Sequence, residues 1–327
     1  MTSMKGGSFF GINRFRLPRW AFGRVSPDRH APMKEVADKV AFISGGSSGI
    51  GLGIAQAFVE AGMKVSIGYM TEDHLTGAMK CLGNAGGRVH AIQVDVTNRL
   101  AVEAAAQETK RFFGKIHVLV GNAGVGFLAP LYTTTYQDWD WAIAVNQTGV
   151  FNCVRTFLPY IRDHGEGGQV IAISSMSGLY AAGVAGAYTT SKFAVVGMME
   201  ELRSELRNMN VGVSVCCPGL VTSNITDADR NRPHTLTHPA VERDSESWNI
   251  LKSKINSPDF AISPREVGVR VLQGLRRNDL YILTHPEYEK ILRARQAALL
   301  GSFPRKQYTT NARVAAMRSL LQNSIYR

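Results

Sequence analysis

Short runs of apolar, often β-branched residues alternate with longer segments of mixed polarity along the chain from Lys39 onward. Short runs that are apolar at nearly every position are typical of strands buried on both faces of a parallel sheet. The longer segments predict helices that cover these faces, so we expect an α/β fold with a doubly wound sheet of about seven parallel strands. The predicted strands are Val40–Ser44, Lys64–Ile67, Val89–Val94, Ile116–Val120, Val170–Ser174, Val213–Cys217 and Leu280–Leu283, and the predicted helices span residues 50–61, 72–83, 99–113, 136–163, 188–209 and 264–276.

The segment from Ser223 to Ser263 interrupts this alternation, because it is polar and contains three prolines. A loop of this length within one compact domain is usually functional or disordered. We interpret it as a lid over a substrate. The predicted organisation is a basic, irregular N-terminal extension (1–36), one domain (37–304) that includes the lid (223–263), and a basic C-terminal tail (305–327).

The excess of basic residues lies at the two ends of the chain. The formal net charge is +11, and residues 1–36 and 305–327 contribute +5 each, so the body between them is nearly neutral. Neither end shows a nucleic-acid-binding motif, and we expect no nucleic-acid partner. We interpret both ends as solvated tails or as segments that pack on a neighbouring subunit. Binding of the ends to a membrane or a polyanion stays open as the alternative.

Cysteine usage and hydropathy bear on the compartment. No apolar run reaches the roughly 18 residues needed to span a bilayer, so no transmembrane segment is predicted. The N-terminal segment also lacks the apolar core of a signal peptide. The four cysteines form no C-x-x-C pair, and we expect a cytoplasmic protein with reduced, buried thiols. These cysteines are Cys81, Cys153, Cys216 and Cys217.

A glycine-rich string, Ser44-Gly45-Gly46-Ser47-Ser48-Gly49-Ile50-Gly51, follows the first predicted strand and opens the first predicted helix. Glycines at such a junction permit a tight turn and let the backbone approach a pyrophosphate at the positive end of the helix. The position of the string, more than its composition, indicates a dinucleotide site.

Tyr188 and Lys192 are four residues apart, which places both side chains on one face of a helix. A phenol has a pKa near 10, and a neighbouring ammonium favours the phenolate. Ser175 comes just after the strand predicted at Val170–Ser174, and strand ends are where an open α/β sheet binds its ligand. The three residues therefore predict a proton-transfer site, in which Ser174 is the less favoured serine.

Taken together, the motifs resemble those of single-domain short-chain dehydrogenases/reductases, and the resemblance extends from about Lys39 to Thr284. It implies a Rossmann-like fold and an oxidoreductase that transfers a hydride between NAD(P)(H) and a secondary alcohol or ketone. Seven motifs occur in the family's order: the turn with Gly45, Gly49 and Gly51; Asp95-Val96; Asn122-Ala123-Gly124; Asn146; Ser175; Tyr188 with Lys192; and Pro218-Gly219-Leu220-Val221-Thr222.

The resemblance also implies the role of each matching residue. Tyr188 exchanges the proton with the substrate oxygen, Lys192 lowers the pKa of Tyr188 and binds the ribose, and Ser175 polarises the carbonyl. Asn146 holds a water that relays protons to Lys192, and Thr222 binds the nicotinamide carboxamide. The expected cofactor residues are Gly45, Ser47, Ser48, Gly49, Ile50, Gly51, Tyr69, Asp95, Val96, Asn122, Ala123, Gly124, Tyr188, Lys192, Pro218, Gly219, Val221 and Thr222.

The chain departs from the family pattern at two positions. Ser44 stands where threonine is usual, and both residues offer a hydroxyl. Gly121 replaces the first asparagine of an Asn-Asn-Ala-Gly motif, which removes one amide. Neither departure touches the four expected catalytic residues.

The residue at the end of the second strand decides between the two nicotinamide cofactors, because a carboxylate there binds the ribose 2′-hydroxyl of NAD and repels the 2′-phosphate of NADP. That position aligns with Tyr69, which is neither acidic nor basic. The sequence therefore favours NADP(H). The string from Tyr136 to Asp140 and the segment after Thr284 are similar to those of bacterial Cα-dehydrogenases of aryl-ether alcohols. This similarity favours a bulky or aromatic substrate.

Two other functions stay open from the sequence. One is epimerase or dehydratase chemistry on the same fold, and the other is a non-catalytic dinucleotide-binding scaffold. The eight histidines show no metal-ligand spacing, so no metal site is predicted. The resemblance further implies a homodimer or homotetramer built on the helices predicted at 136–163 and 188–209.

Overall fold

Seven parallel strands form one sheet in the described part of the chain. In the computed structural model this part comprises residues 31–83, 85, 87–236, 245–304, 310–320 and 325–326. The strands are β1 (Val40–Ile43), β2 (Lys64–Tyr69), β3 (Val89–Gln93), β4 (Val118–Gly121), β5 (Gly168–Ile173), β6 (Val211–Cys217) and β7 (Tyr281–Leu283). Their order across the sheet is β3-β2-β1-β4-β5-β6-β7, and every neighbouring pair is parallel.

The sheet is covered on both faces, as its sequence pattern predicts. Every residue of β1, β4, β5 and β6 is buried. The chain order reverses between β1 and β4, and such a switch point opens a crevice at the carboxyl ends of the strands. The prediction of a Rossmann-like, doubly wound α/β fold is therefore confirmed.

Ten α-helices accompany the strands within the described residues. They are α1 (Gly49–Glu60), α2 (Glu72–Leu82), α3 (Arg99–Phe113), α4 (Tyr136–Ile143), α5 (Gly149–Arg162), α6 (Gly186–Glu205), α7 (Ser245–Ile255), α8 (Pro264–Arg277), α9 (Glu289–Gly301) and α10 (Asn311–Leu320). The helix predicted at 136–163 is α4 and α5 joined by a π-helical segment, Ala144–Thr148. Thr135 caps its start by accepting a hydrogen bond from the backbone N–H of Asp138 (3.0 Å).

The predicted lid is more regular than its polar sequence suggests. It contains a 3-10 segment (Asn224–Asn231), a second short one (His234–Leu236) and the helix α7. Trp248, Leu251 and Ile255 recur along α7 at helical spacing, and Ile255 is buried. The interpretation of the whole segment as a loop is therefore wrong, because one apolar stripe of α7 has a surface to pack against.

The domain begins earlier than residue 37. Met33 and Val36 are fully buried and pack in the hydrophobic cluster that covers one face of the sheet. The boundary predicted at residue 36 is therefore wrong, since two apolar side chains among basic neighbours supply part of the core. The rest of the predicted extension, residues 1–30, lies outside the described residues.

The C-terminal end is partly helical. The predicted tail 305–327 contains the helix α10, and the hydroxyl of Tyr326 donates a hydrogen bond to Glu200 on α6 (2.9 Å). All four cysteines are described and unpaired. Cys153, Cys216 and Cys217 are buried as expected, whereas Cys81 is exposed.

The helices α1 and α8 touch through their backbones. A methyl group placed on Gly53 would lie 2.1 Å from the carbonyl oxygen of Pro264, and one placed on Gly268 would lie 2.1 Å from the carbonyl oxygen of Gly53. Only glycine permits this approach. It holds the first helix, and the glycine-rich turn before it, against the end of the lid.

No helix among the described residues combines the length and the apolar character that a membrane crossing requires.

Candidate active site

The glycine-rich turn between β1 and α1 forms a cradle for a phosphate. Gly45 and Gly49 have positive φ angles of 62° and 50°, a conformation that favours glycine. A methyl group on Gly51 would lie 2.2 Å from the carbonyl oxygen of Gly45, so the turn closes tightly. Ser48 is the N-cap of α1 and makes no side-chain cap hydrogen bond. The backbone N–H groups of the first turn are therefore available to an anion.

The end of β4 is tied to the end of β1 through one hydroxyl. The oxygen of Ser44 accepts hydrogen bonds from the backbone N–H groups of Asn122 (2.9 Å) and Ala123 (3.0 Å). The side-chain amide of Asn122 donates to the backbone carbonyls of Ser44 (2.9 Å) and Gly45 (3.1 Å). Serine at position 44 thus supplies the hydroxyl that the turn uses. The interactions fix the floor of the crevice.

The predicted proton-transfer residues meet at the end of β5. Ser175 follows β5 and caps a 3-10 turn, where its hydroxyl accepts from the backbone N–H of Ser177 (3.1 Å), and it lines the same cavity as Tyr188 on α6. The Nζ atom of Lys192, one helical turn further along α6, lies 5.6 Å from the centre of the Tyr188 ring and donates to the carbonyl of Ile173 (3.0 Å). Ser174 is directed elsewhere, since its hydroxyl donates to the carbonyl of Lys192 (2.8 Å).

Burial dominates the titration of this pair. It raises the pKa of Tyr188, and the neighbouring Ser175 side chain opposes that rise. Burial also lowers the pKa of Lys192 to about 8. Both shifts disfavour the charged form of a buried side chain. The Tyr188 phenol is therefore protonated at neutral pH, as a proton donor must be.

Asn146 lies in the π-helical segment and is completely buried. Its side-chain oxygen accepts from the backbone N–H of Val125 (2.8 Å), and its amide donates to the carbonyl of Val125 (2.9 Å) and to the hydroxyl of Ser191 (3.1 Å). Single π-helical turns within α-helices occur frequently at functional sites. The side chain therefore fixes the loop after β4 against α6, and it does not line the cavity.

A cavity of about 720 Å³ joins the phosphate cradle to the proton-transfer residues. Most of the predicted site residues line it, whereas Gly51, Asn146 and Thr222 do not. The backbone N–H of Thr222 donates to the carbonyl of Ile262 (3.1 Å), and its side chain is exposed. The predicted residues in the wall are Gly45, Ser47, Ser48, Gly49, Ile50, Tyr69, Asp95, Val96, Asn122, Ala123, Gly124, Ser175, Tyr188, Lys192, Pro218, Gly219 and Val221.

The sequence analysis missed the wall that the lid and the C-terminal segment provide. Tyr180 and Tyr288 line the cavity with their rings 5.7 Å apart, although 108 positions of sequence separate them. His285 holds this arrangement, because its ring accepts from the N–H of Gly219 (3.1 Å) and contacts the carbonyl of Leu220 (3.0 Å). The helical spacing of Trp248, Leu251 and Ile255 on α7 was the available signal for three of the lid residues that line the cavity. Other lid residues in the wall, among them Ile225 and Arg230 of the 3-10 segment, carry no such signal.

One cluster away from the cavity has the residue types of a metal site. His117, His164 and Glu166 bring their ligand atoms within 4.8 Å of one another. Both ring nitrogens of His164 and the Nδ1 atom of His117 contact backbone groups, and Glu166 is paired with Lys39 and Lys115. Two lysine ammonium groups beside the carboxylate oppose a bound cation.

The comparisons with known proteins agree with this geometry. A family model of short chain dehydrogenases matches residues 39–234. The chain belongs to the short-chain dehydrogenase family. The chain is similar to the C alpha-dehydrogenase of Sphingobium sp. (strain NBRC 103272 / SYK-6), with 35% identity over 271 residues, which are 83% of this chain and 88% of the relative.

Two further proteins are similar to this chain. The 3beta-hydroxysteroid dehydrogenase 2 of Eggerthella lenta is 34% identical to this chain over 202 residues, which are 62% of this chain and 77% of the relative. The solved structure of a short chain dehydrogenase/reductase from Burkholderia phymatum, in complex with NAD, has a TM-score of 0.78 and 32% identity. It covers 84% of this chain and 99% of its own.

Proposed function

We propose that the protein is an NAD(P)(H)-dependent oxidoreductase that interconverts a secondary alcohol and a ketone, with Tyr188 as the general acid and base. The observation that carries this proposal is that Ser175, Tyr188 and Lys192 line one cavity together with the phosphate cradle of α1. A nicotinamide dinucleotide fits that cradle, because the glycines leave the backbone open and the N–H groups at the start of α1 are free of a side-chain cap and available to a phosphate.

The residues of the chain supply binding and one proton, and the cofactor supplies or accepts the hydride. In the direction of ketone reduction, the hydroxyl of Tyr188 donates its proton to the carbonyl oxygen. The hydroxyl of Ser175 donates a hydrogen bond to the same oxygen and polarises the carbonyl. Because both donors are preorganised at the end of β5, they stabilise the charge that develops there.

Lys192 and Asn146 support that proton transfer. The ammonium of Lys192 stabilises the Tyr188 phenolate after the proton has left, and it binds the cofactor ribose. Asn146, in the π-helical segment, positions α6 through its hydrogen bond to Ser191. It also holds a water molecule that relays protons to Lys192. The remaining cofactor contacts follow the family: Asp95 and Val96 bind the adenine, and Thr222 binds the carboxamide. Thr222 requires movement of its segment, since its side chain points out of the cavity.

The choice between NAD(H) and NADP(H) depends on the end of β2. The sequence favours NADP(H) because Tyr69 has no carboxylate. However, the Tyr69 hydroxyl donates a hydrogen bond to the carboxylate of Glu72 (2.9 Å), which brings a negative charge next to the end of β2. Tyr69, Met70 and His74 line the cavity here. A carboxylate repels a ribose 2′-phosphate, and we therefore infer that the protein accepts NAD(H) at least as well as NADP(H).

The substrate is proposed to be a bulky or aromatic secondary alcohol or the matching ketone. Aromatic side chains from four segments, Phe127, Trp141, Trp248 and Tyr288, line the cavity. Flat aromatic surfaces favour aromatic or polycyclic ligands. Two of the named relatives are described as a C alpha-dehydrogenase and a hydroxysteroid dehydrogenase, which supports a bulky alcohol.

The proposed assembly is a cytoplasmic homodimer or homotetramer built on α5 and α6. Phe151 on α5 is 48% exposed, which leaves a large apolar side chain for a partner to cover. Light scattering of the full chain and of Phe151→Glu tests this assembly, since a charge at a buried contact dissociates the oligomer.

The test of the reaction is the Tyr188→Phe variant, measured by NADH and NADPH consumption with a panel of aryl and alkyl ketones. We expect kcat to fall by about 10²-fold to 10⁴-fold, while the dissociation constant of the cofactor changes little. Tyr132→Phe is the matched control, because Tyr132 is 89% exposed and lies outside the site. If ketones are consumed by neither protein although both bind the cofactor, the scaffold function replaces this proposal. Turnover without net cofactor consumption, as an epimerase shows, also contradicts it.

A further inference from the structure

Two arginines at the start of the lid have opposite surroundings. Arg232 is buried, with its guanidinium 2.7 Å from the carboxylate of Asp138 and 4.1 Å from the centre of the Trp141 ring. Arg230, two residues earlier, lines the cavity, and its side chain is 26% exposed. Arg232 therefore anchors the lid, whereas Arg230 faces the space that a substrate enters.

The guanidinium of Arg230 uses only part of its hydrogen-bonding capacity. Its Nη1 atom donates to the backbone carbonyls of Asn224 (2.8 Å) and Asp227. The carboxylate of Asp227 lies 3.9 Å from the same atom. The Nε and Nη2 atoms have no hydrogen-bond partner among the residues that the structure describes. The guanidinium group is thus held in place through Nη1, while Nε and Nη2 can donate hydrogen bonds to a ligand.

The fold places this guanidinium in the wall of the cavity that also holds the reacting residues. By bonding to the carbonyl of Asn224, it folds back to the start of the 3-10 segment, next to Ile225. A methyl group on Gly126 would lie 2.8 Å from Ile225 and 3.5 Å from the ring of Tyr188, so Ile225 and Tyr188 flank the same point. Because Arg230 and Tyr188 line the same cavity, one molecule can present an anion to Arg230 and its carbonyl to Tyr188.

The distribution of charged side chains in the cavity wall also favours an anionic ligand near Arg230. Among the described residues of the wall, the one carboxylate is that of Asp95, at the carboxyl end of β3. Four strand spacings separate β3 from β5, which carries Ser175 at its end, and they amount to roughly 19 Å. The substrate end of the wall holds Arg230 and Lys192, and it is therefore electropositive.

We infer that Arg230 binds an anionic group of the substrate, such as a carboxylate, and that the preferred substrate is an aromatic alcohol or ketone that carries this anion. This inference rests on the proposed function for the identity of the reacting group. The carboxylate accepts hydrogen bonds from Nε and Nη2 while the carbonyl lies against Ser175 and Tyr188. Asp227 competes weakly for the guanidinium and tunes its affinity.

The test compares two ketones of nearly equal shape, 4-acetylbenzoate and 4-acetylbenzamide. We expect the wild type to favour the benzoate in kcat/KM by about ten-fold or more. Arg230→Met abolishes this preference by raising KM for the benzoate, and Arg230→Lys restores part of it. The exposed Arg276 provides the control variant Arg276→Met, which keeps the preference. A thermal unfolding midpoint of Arg230→Met that matches that of the wild type shows that the chain is still folded.

Calorimetry separates this inference from the reaction itself. Binding of 4-acetylbenzoate and of 4-acetylbenzamide to the NADH-loaded protein shows the same preference even if no ketone is turned over. If Arg230→Met instead weakens NADH binding and leaves the benzoate preference intact, the guanidinium binds the cofactor phosphates and the inference is overturned. Equal affinity of the wild type for both ketones overturns it as well.

Discussion

Arg232 and Asp138 form a buried ion pair that joins the lid to the start of α4. Their side chains are 6% and 5% exposed. The hydroxyl of Thr135 donates a second hydrogen bond to the Asp138 carboxylate, and the Arg232 guanidinium donates a second one to Asp229. A buried pair is strongly destabilised by loss of one partner, because the remaining charge has no compensation. The pair therefore fixes where the lid leaves the body of the protein.

From this pair we predict that Asp138→Asn lowers the free energy of unfolding by about 3 kcal/mol and raises KM for the ketone. The exposed pair of Glu60 and Arg265 is the control, and Glu60→Gln costs less than about 1 kcal/mol. Chemical denaturation measures both changes. The double variant Asp138→Asn with Arg232→Met is expected to recover part of the loss, and full additivity would contradict a direct coupling.

The pKa of Lys192 near 8 predicts an alkaline limit for ketone reduction. Below pH 8 the ammonium is charged and stabilises the Tyr188 phenolate, and above it the charge is lost. We therefore expect kcat/KM, which reports the free enzyme, to fall as the pH rises through about 8. In Lys192→Arg the guanidinium stays charged, so that limit disappears. An identical alkaline limb in both proteins would assign it to another group.

Glu72 offers a direct test of cofactor selection. Removing its charge with Glu72→Gln takes a repulsive carboxylate away from the position of a ribose 2′-phosphate. We expect kcat/KM for NADPH to rise by about ten-fold and that for NADH to stay within about two-fold. Asp73→Asn is the matched control, because Asp73 is the next residue of α2 and makes no hydrogen bond with Tyr69. A similar gain for NADPH in both variants would indicate a general charge effect.

His117 predicts a loss of stability in mild acid. Burial lowers its pKa from 6.5 to about 4, against a partial opposing effect of Glu166, while Lys39 and His164 also disfavour its charged form. Between these pH values the unfolded chain binds a proton that the folded chain does not, so the free energy of unfolding falls as the pH falls. The loss reaches up to about 3 kcal/mol by pH 4.

Denaturant titrations at several pH values between 7 and 4 measure this slope, in His117→Gln as well as in the wild type. Glutamine keeps an acceptor for the backbone N–H of Val40, which now binds the Nδ1 atom of His117 (3.1 Å), but it does not titrate. The slope of the variant should be shallower in this range. Equal slopes would place the acid sensitivity elsewhere. Glu166, whose pKa lies well below its usual value, loses its ion pairs at lower pH than this window.

The sequence predicts the sheet and the centre of the site because both follow local rules. Buried parallel strands are apolar at nearly every position, and Tyr188 and Lys192 share a helix face by spacing alone. The position of Ser175 follows from the rule that ligands meet strand ends. These predictions need no knowledge of which distant segments pack together.

The parts that the sequence did not predict depend on such packing. α7 is marginal as an isolated helix, and its apolar stripe matters only beside the cavity. Tyr180 and Tyr288 meet because His285 fixes the C-terminal segment against Gly219. Met33 and Val36 lie among basic residues in the sequence, which predicts an exposed extension, and they are buried only because they pack against the folded sheet. The π-helical turn at Asn146 has no signature in hydropathy, since it adds one residue to a helix that is regular on both sides.

The backbone contact between Gly53 and Gly268 leaves no room for a side chain between these two helices. α8 begins directly after the lid, and α1 begins at the glycine turn, so the contact fixes the two ends of the cavity relative to each other. A single methyl group at either glycine would wedge the helices apart and tilt the cradle away from Tyr188. Catalysis could then be lost by a change some distance from every reacting atom, with each catalytic side chain still in place.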